Sequence, residues 1–174
     1  MTTAVIGLGS VLLGDDGFGP TVVEHLRAGW DFPEDIELVD GGTPGLGLAG
    51  YLHGREQVIL IDAVAATGTP GELRWYEGAE LRALPMKPRV NPHDPAIQEA
   101  LWITELSGQG PRETSLLGVI PARLETGTGL SPSLRALVVE AARRIVVRLE
   151  SRGTRIRRRG RPHASLAWWA EGVG

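Results

Sequence analysis

The sequence predicts a three-layer α/β/α domain with a mostly parallel, twisted sheet of about five strands flanked by helices. Short apolar runs alternate along the chain with segments in which apolar residues recur at helical spacing. The chain has 174 residues, which fits one domain, and its hydrophobic content of 42% suits a globular core. A core of this size needs no disulfide, and the chain has no cysteine.

Five apolar runs predict the strands. They are Ala4–Leu8, Ile36–Val39, Val58–Ile61, Glu72–Tyr76 and Leu116–Ile120. The fourth run follows the turn Thr69–Gly71, so we expect it to pair with the third strand as a hairpin.

Four segments predict helices between or after these strands. They begin at Pro20, at Leu46, after Asp94-Pro95 and at Ser131-Pro132. The Asp-Pro and Ser-Pro pairs each place a typical N-cap residue before a proline of the first turn. We expect the third helix to bury Ile97, Leu101 and either Ile103 or Leu106, and the last helix to continue to about Glu150.

The charge of the chain is divided unevenly. We expect residues 1–150 to form the single domain and residues 151–174 to form a basic, disordered tail. The tail carries six arginines and one glutamate, a net charge of +5, whereas the rest of the chain carries −8. An acidic body is not typical of a nucleic-acid-binding domain. Alternatively, Trp168 and Trp169 of the tail dock on a partner or on the body.

Targeting signals are not recognisable in the sequence. The apolar run near the N-terminus is too short for a signal peptide, and no stretch approaches the roughly 20 apolar residues of a membrane span. We therefore expect a cytoplasmic protein with no nucleic-acid and no membrane partner. Without cysteine, metal or acid–base chemistry must use the 21 Asp and Glu residues and the four histidines.

Candidate site residues follow the first three predicted strands. Asp15 and Asp16 lie in the loop after the first strand, Asp40 ends the second and Asp62 ends the third. His93 precedes a predicted helix. Because ligands of open α/β sheets bind beyond the carboxyl ends of the strands, we expect these side chains at one edge. Carboxylates with one imidazole suit a divalent first-row metal, although they do not identify which one.

Some of these acids also have structural explanations. Asp16 fits the cap of the first helix, and Asp40 fits a turn before two glycines. Asp62 is harder to explain in this way, because a carboxylate at the rim of a buried sheet needs a partner.

The first loop also allows a nucleotide-binding interpretation. The segment Gly7–Gly9 follows a strand and precedes a helix, as in a dinucleotide fingerprint, and Asp40 stands where a ribose-binding acid would lie. Leu12 at the third glycine position argues against this interpretation. The adjacent Asp15 and Asp16 also place negative charge where a helix N-terminus would receive an anion.

Five blocks of sequence together resemble one known family. The segment Gly7–Gly19 resembles the N-terminal signature of the nickel–iron hydrogenase maturation endopeptidases. Further segments are similar to motifs of the same family, in the same order: Val39–Thr43, Ile59–Ala63, Asn91–Asp94, and Leu117–Pro121 with Gly127–Pro132. The resemblance covers about residues 4–150, and five blocks are far more specific than any one of them.

The resemblance implies an endopeptidase that removes a C-terminal peptide from a hydrogenase large-subunit precursor after nickel insertion. It implies that Asp16, Asp62 and His93 contact the metal and carry the catalysis. Nickel would come from the precursor, and another divalent metal is expected to substitute in vitro. Whether nickel polarises the scissile carbonyl, activates water or only positions the substrate stays open. The family pattern also implicates a segment near the substrate: Asp40, Gly41, Gly42 and Thr43.

The chain departs from the family pattern at three places. Ser10 stands where the family usually has Asn, whose two donors and carbonyl acceptor a hydroxyl does not reproduce. Asp16 stands where some members have Glu, and Asn91-Pro92 replaces smaller residues before His93. We expect a monomer whose partner is the precursor. The alternatives are a nucleotide- or metal-binding regulatory module without hydrolysis, and a hydrolase of the same fold acting on another peptide.

Overall fold

A five-stranded sheet forms the centre of the protein, which the computed structural model describes over residues 2–84 and 97–160. Within these residues the strands are β1 (Thr3–Leu8), β2 (Trp30–Asp31), β3 (Ile36–Gly42), β4 (Gln57–Ala63), β5 (Leu73–Glu77), β6 (Glu113–Val119) and β7 (Arg157–Arg158). The central sheet has the order β3-β1-β4-β6-β5. Its first four strands are parallel and β5 is antiparallel, which confirms the predicted mostly parallel sheet.

Helices cover both faces of this sheet. They are α1 (Phe18–Gly29), α2 (Leu48–Leu52), α3 (Gly78–Arg82), α4 (Ile97–Leu106), α5 (Pro132–Arg135) and α6 (Val138–Glu150). The apolar residues of α1 and α6 pack on one face, and those of α2 and α4 pack on the other. Val5 of β1 belongs to the first cluster, whereas Ala4 and Ile6 belong to the second. The strand therefore contributes side chains to the core on both faces of the sheet, because successive side chains of a strand point to opposite faces. The domain has three layers.

The predicted hairpin between the third and fourth strands is wrong. The seven-residue register from Gln57↔Glu113 to Ala63↔Val119 fills the second edge of β4 with β6. β5 lies instead beyond β6, at the edge of the sheet, where it pairs antiparallel from Leu73↔Val119 to Glu77↔Ser115. The sequence places β5 close to β4 along the chain, but β6, which comes later, separates the two in the sheet.

Two predicted helices differ in detail from the structure. In α4, Leu101 is buried, but Ile103 is 41% exposed and Leu106 is 69% exposed, so their predicted burial is wrong. The predicted cap Asp94-Pro95 lies outside the described residues. The last predicted helix is divided into α5 and α6, and the Ser131 hydroxyl makes no N-cap hydrogen bond.

The domain continues past residue 150. Strand β7 pairs antiparallel with β2, and the backbone N–H of Arg159 donates to the carbonyl of Gly29 at 2.8 Å. Ile156 packs against the core beneath α1 and α6. The expected boundary at residue 150 is therefore corrected for residues 151–160, which dock on the body. Residues 161–174, including both tail tryptophans, lie outside the described residues.

No helix in the described ranges has the length and apolar character that crossing a membrane requires.

Two glycines let the start of α1 lie directly on the sheet. A side chain on Gly7 of β1 would place its Cβ 2.4 Å from the carbonyl oxygen of Gly19. A Cβ on Gly19 would in turn lie 2.4 Å from the carbonyl oxygens of both Leu8 and Ile61. The helix backbone thus contacts the carboxyl ends of β1 and β4, which sets the position of the loop between β1 and α1.

We predict that Gly19→Ala lowers the free energy of unfolding by about 2–3 kcal/mol, because the added methyl meets rigid backbone on two strands. Gly29→Ala is the matched control in the same helix, since nothing lies within 4 Å of its Cβ position. That change should be neutral or stabilise the protein by up to about 1 kcal/mol. Urea denaturation measures both, and equal effects of the two substitutions would contradict the packing argument.

We also predict a pH dependence for the docking of β7. Asp31 accepts hydrogen bonds from Arg159 and Arg157, each at 2.6 Å, and these arginines hold the pKa of its carboxyl below the usual range. Because the folded pKa is depressed, the stabilisation is present above the unfolded pKa, about 4, and is lost as the pH falls through the folded value. Asp31→Asn should therefore lower the melting temperature near neutral pH, and this deficit should shrink as the pH falls below about 4.

Glu34→Gln, which changes an exposed acid in the turn before β3, is the control for this series. It should leave the melting temperature unchanged across the same pH range. A deficit of Asp31→Asn that persists at the lowest pH would show that charge pairing with the arginines is not its cause.

Candidate functional site

The site lies at the point where the chain leaves β1 and β4 in opposite directions. β1 is followed by β3 on one side, through α1, whereas β4 is followed among the parallel strands by β6 on the other side, through α4. Such a change of direction between adjacent parallel strands opens a crevice at their carboxyl ends. Asp16 follows β1 and Asp62 ends β4, so the two acids flank this crevice.

The loop after β1 holds Asp16 beside the end of the strand. The backbone N–H of Ser10 donates to Oδ2 of Asp16 at 2.7 Å. Gly9 has a φ of +118°, and a Cβ there would lie 1.8 Å from the carbonyl oxygen of Asp16. The hydroxyl of Ser10 accepts from the N–H of Leu12 at 3.3 Å. The backbone of Ser10, rather than its side chain, therefore positions Asp16, so the departure from the family residue leaves this contact intact.

Asp15 is a buried structural carboxylate. It is fully buried, and its oxygens accept the backbone N–H groups of Ala122 at 2.9 Å, Arg123 at 3.0 Å and Ser131 at 2.7 Å. The Ser131 hydroxyl donates a fourth hydrogen bond, to Oδ2, at 2.9 Å. Asp15 thus joins the loop after β1 to the loop before α5. This role is not predictable from the sequence, because the partners are more than 100 residues away and form no local motif.

Asp62 is the penultimate residue of β4 and is 6% exposed. It alternates with Val58 and Leu60, which pack in the cluster beneath α2 and α4, so its side chain is directed to that face of the sheet. Its partner in the register is Gly118 of β6. The structure therefore places Asp62 at the buried rim that the sequence predicts, on the face covered by α4.

His93 belongs to residues 85–96, which lie outside the described residues. Within residues 2–84 and 97–160, no three His, Asp or Glu side chains are grouped closely enough to hold a metal ion. The described part therefore supplies two oxygen donors of the predicted set, Asp16 and Asp62. Carboxylate oxygens suit a cation, so the donor chemistry of these two residues is compatible with the predicted metal.

The segment from Asp40 to Thr43 lies at the carboxyl end of β3, beside the loop after β1. Oδ1 of Asp40 accepts the N–H of Gly42 at 3.1 Å, which is the turn contact expected from the sequence. A Cβ on Gly41 would lie 2.9 Å from a methyl group of Ile6, so this position has no room for a side chain. The carbonyl of Gly42 accepts the N–H of Gly9 at 2.8 Å, and Thr43 is exposed. Their role in substrate recognition stays a prediction.

The glycines of the first loop do not form a dinucleotide site. Protein atoms occupy the space that the absent side chains of Gly7 and Gly9 leave: the first turn of α1 at Gly7 and the backbone of Asp16 at Gly9. The buried Asp15 adds negative charge at the same helix N-terminus, which disfavours a pyrophosphate.

His25 is remote from this site. It lies within α1, and its ring is edge-on to Trp30 with 5.7 Å between the ring centroids. Burial, assisted by the charge of Arg158, lowers the pKa of His25. The imidazole is therefore neutral at neutral pH, and it packs against the ring of Trp30.

Comparisons with known proteins agree on one family. Residues 20–148 match the model of a family described as hydrogenase maturation protease. The chain is 31% identical to the hydrogenase 2 maturation protease of Escherichia coli, over 88% of this chain and 93% of that protein. It is 34% identical to the hydrogenase expression/formation protein HoxM of Azotobacter vinelandii, over 86% of this chain and 72% of that protein.

Solved structures show the same relationship. The hydrogenase maturating endopeptidase HybD from Escherichia coli aligns with a TM-score of 0.84 and 31% identity, over 91% of this chain and 98% of that chain. A hydrogenase 2 maturation peptidase from a Thaumarchaeota archaeon aligns with a TM-score of 0.65 and 30% identity, over 88% of this chain and 99% of that chain.

We predict that Asp15→Ala lowers the free energy of unfolding by about 3 kcal/mol, because it removes a fully buried carboxylate and leaves three backbone N–H groups and the buried Ser131 hydroxyl without this acceptor. Asp16→Ala, one residue away and only half-buried, should cost less than about 1 kcal/mol. Urea denaturation of both variants measures the difference. A larger loss for Asp16→Ala would contradict the assignment of Asp15 as the structural member of the pair.

Proposed function

Because this chain belongs to the hydrogenase maturation protease family, we propose that it removes the C-terminal extension of a nickel–iron hydrogenase large-subunit precursor after nickel insertion. The chain is a maturation endopeptidase, and its general activity is peptide hydrolysis. The C-terminal position of the cut and the requirement for nickel are the proposed parts. The arrangement of Asp16 and Asp62 at the crevice between β1 and β4 is the observation that supports them.

Two carboxylates lie on neighbouring parts of this edge of the sheet. Asp62 is at the end of β4, and Asp16 lies in the loop that follows β1, the strand paired with β4. Two negative charges brought to one crevice repel each other, and partial burial strengthens the repulsion. A bound cation relieves it. The crevice is therefore suited to a substrate that carries positive charge next to its scissile segment.

Nickel in the precursor fits this requirement as part of the substrate. Asp16, Asp62 and His93 are the residues proposed to contact it. The three donors would orient the precursor so that the peptide to be cut lies at the carboxyl edge of the sheet. A precursor without nickel offers no cation to the two acids, and this difference in charge is the proposed basis for discriminating between loaded and unloaded precursors. Another divalent metal is proposed to substitute in vitro.

Hydrolysis also needs proton transfer. A water proton must be accepted as the new carbon–oxygen bond forms, and a proton must reach the leaving amine as the carbon–nitrogen bond breaks. Asp16, Asp62 and His93 are the acid–base groups that we assign to this edge. Asp62 is the most buried of those that the structure describes, at 6% exposure.

The donor set has a further consequence for nickel. The chain has no cysteine, so no thiolate of this protein competes for the metal. Oxygen and imidazole donors bind nickel less tightly than thiolates do, which suits an enzyme that inspects the metal and leaves it in place. We further propose that the protein acts in the cytoplasm as a monomer, with the precursor as its partner and without a nucleic-acid or membrane partner.

We predict that Asp16→Asn, Asp62→Asn and His93→Ala each slow cleavage of a nickel-loaded precursor at least about 100-fold, because each removes a donor or a proton acceptor. Precursor and product are separated by mass spectrometry, and circular dichroism verifies that each variant is folded. Asp35→Asn is the matched control, since this exposed acid precedes β3 at the opposite edge of the sheet. Normal cleavage by any of the three site variants would remove that residue from the proposed site.

A further inference from the structure

Two loops beside the site are joined into one surface. Leu13 and Gly127 form a β-bridge, the N–H of Gly14 donates to the carbonyl of Gly127 at 2.9 Å, and the N–H of Gly127 donates to the carbonyl of Leu12 at 2.9 Å. The carboxylate of Asp15 adds four hydrogen bonds from the second loop. The loops at 9–17 and 121–131 are thus held against each other by backbone contacts on both sides of a buried charge.

Each of these loops presents a leucine to solvent. Leu12 is 54% exposed and Leu124 is 46% exposed. The segment that carries Leu124 lies against the first loop two residues after Leu12, because a Cβ on Gly14 would lie 3.4 Å from the carbonyl oxygens of both Arg123 and Glu125. An exposed leucine on a loop that is free to move can turn away from water, but hydrogen bonds hold these two loops in place. A partner can therefore bind this apolar surface without a large loss of conformational entropy in the two loops.

The location of this surface beside the site indicates which partner it would contact. Leu12 lies in the loop that carries Asp16, four residues before it. Other large apolar side chains exposed in the described part lie on the helices: Trp102, Ile103 and Leu106 on α4, and Val139 and Val147 on α6. The two leucines belong instead to loops at the carboxyl edge of the sheet, where Asp62 ends β4 and Asp16 follows β1. A protein substrate that brings a peptide bond to these acids covers the adjoining loops.

We propose that Leu12 and Leu124 form a docking surface for an apolar segment of the precursor next to its scissile peptide. This inference rests on the proposed function and adds a recognition surface that is separate from the charged contacts. Burying a leucine of this exposure is worth roughly a tenfold change in binding. Because the contact is equally present before and during bond cleavage, its loss raises KM and leaves kcat unchanged.

The test compares two double variants on a nickel-loaded large-subunit precursor that the wild-type chain cleaves. Leu12→Ser with Leu124→Ser should raise KM at least about tenfold and change kcat less than about twofold. Val139→Ser with Val147→Ser, which alters two valines of 48% and 50% exposure on α6, is the matched control and should leave KM unchanged. Leu12→Met with Leu124→Met should retain the wild-type KM, because it preserves the apolar surface.

Three results would overturn the docking surface: an unchanged KM in the leucine-to-serine variant, an equal rise in the valine control, or a fall in kcat at constant KM. Melting curves of all variants verify the fold, and the exposed positions should leave the melting temperature unchanged. If the wild-type chain cleaves no precursor, the proposed function fails, and the docking surface fails with it. Cleavage of the precursor by the wild-type chain therefore distinguishes a failure of the docking surface alone from a failure of the proposed function.

Discussion

Close contact between a helix and two strands determines where the chemistry of this protein lies. Gly7 and Gly19 bring the first turn of α1 against the backbone at the ends of β1 and β4. The loop between β1 and α1 must then turn within a few residues at the carboxyl edge of the sheet. That turn places Asp16 beside the crevice. Gly9 has no side chain, and the backbone of Asp16 occupies the space that a Cβ at position 9 would take. Even one methyl group at either contact glycine would separate the helix from the strands.

Two adjacent acids in this loop have different roles. Asp15 is fully buried, and both of its oxygens accept hydrogen bonds from the loop before α5. It therefore stabilises the contact between that loop and the loop after β1. Oδ2 of Asp16 accepts the N–H of Ser10, and the side chain is half-buried in the loop after β1. Asp15 thus joins the two loops, whereas Asp16 is the member of the pair that is proposed to meet a positively charged part of the substrate.

Local patterns predicted much of the fold. The apolar runs of β1, β3, β4 and β6 and the acids at their ends are visible in the sequence, because strand burial and parallel connection act on neighbouring residues. Contacts between distant residues were not predictable. The place of β5 depends on β6, and the docking of β7 depends on Asp31, more than 120 residues before it. The structural role of Asp15 likewise depends on loop residues with no shared motif.

The central claim is that the two carboxylates accept a substrate only when it carries its metal. The most direct measurement incubates the wild-type chain with nickel-loaded and nickel-free forms of the same large-subunit precursor and follows the C-terminus of each by intact mass spectrometry. Loss of the C-terminal extension from the loaded form alone is the predicted result. Equal cleavage of both forms would contradict the account, because the acids would then act without the charge that they are proposed to recognise.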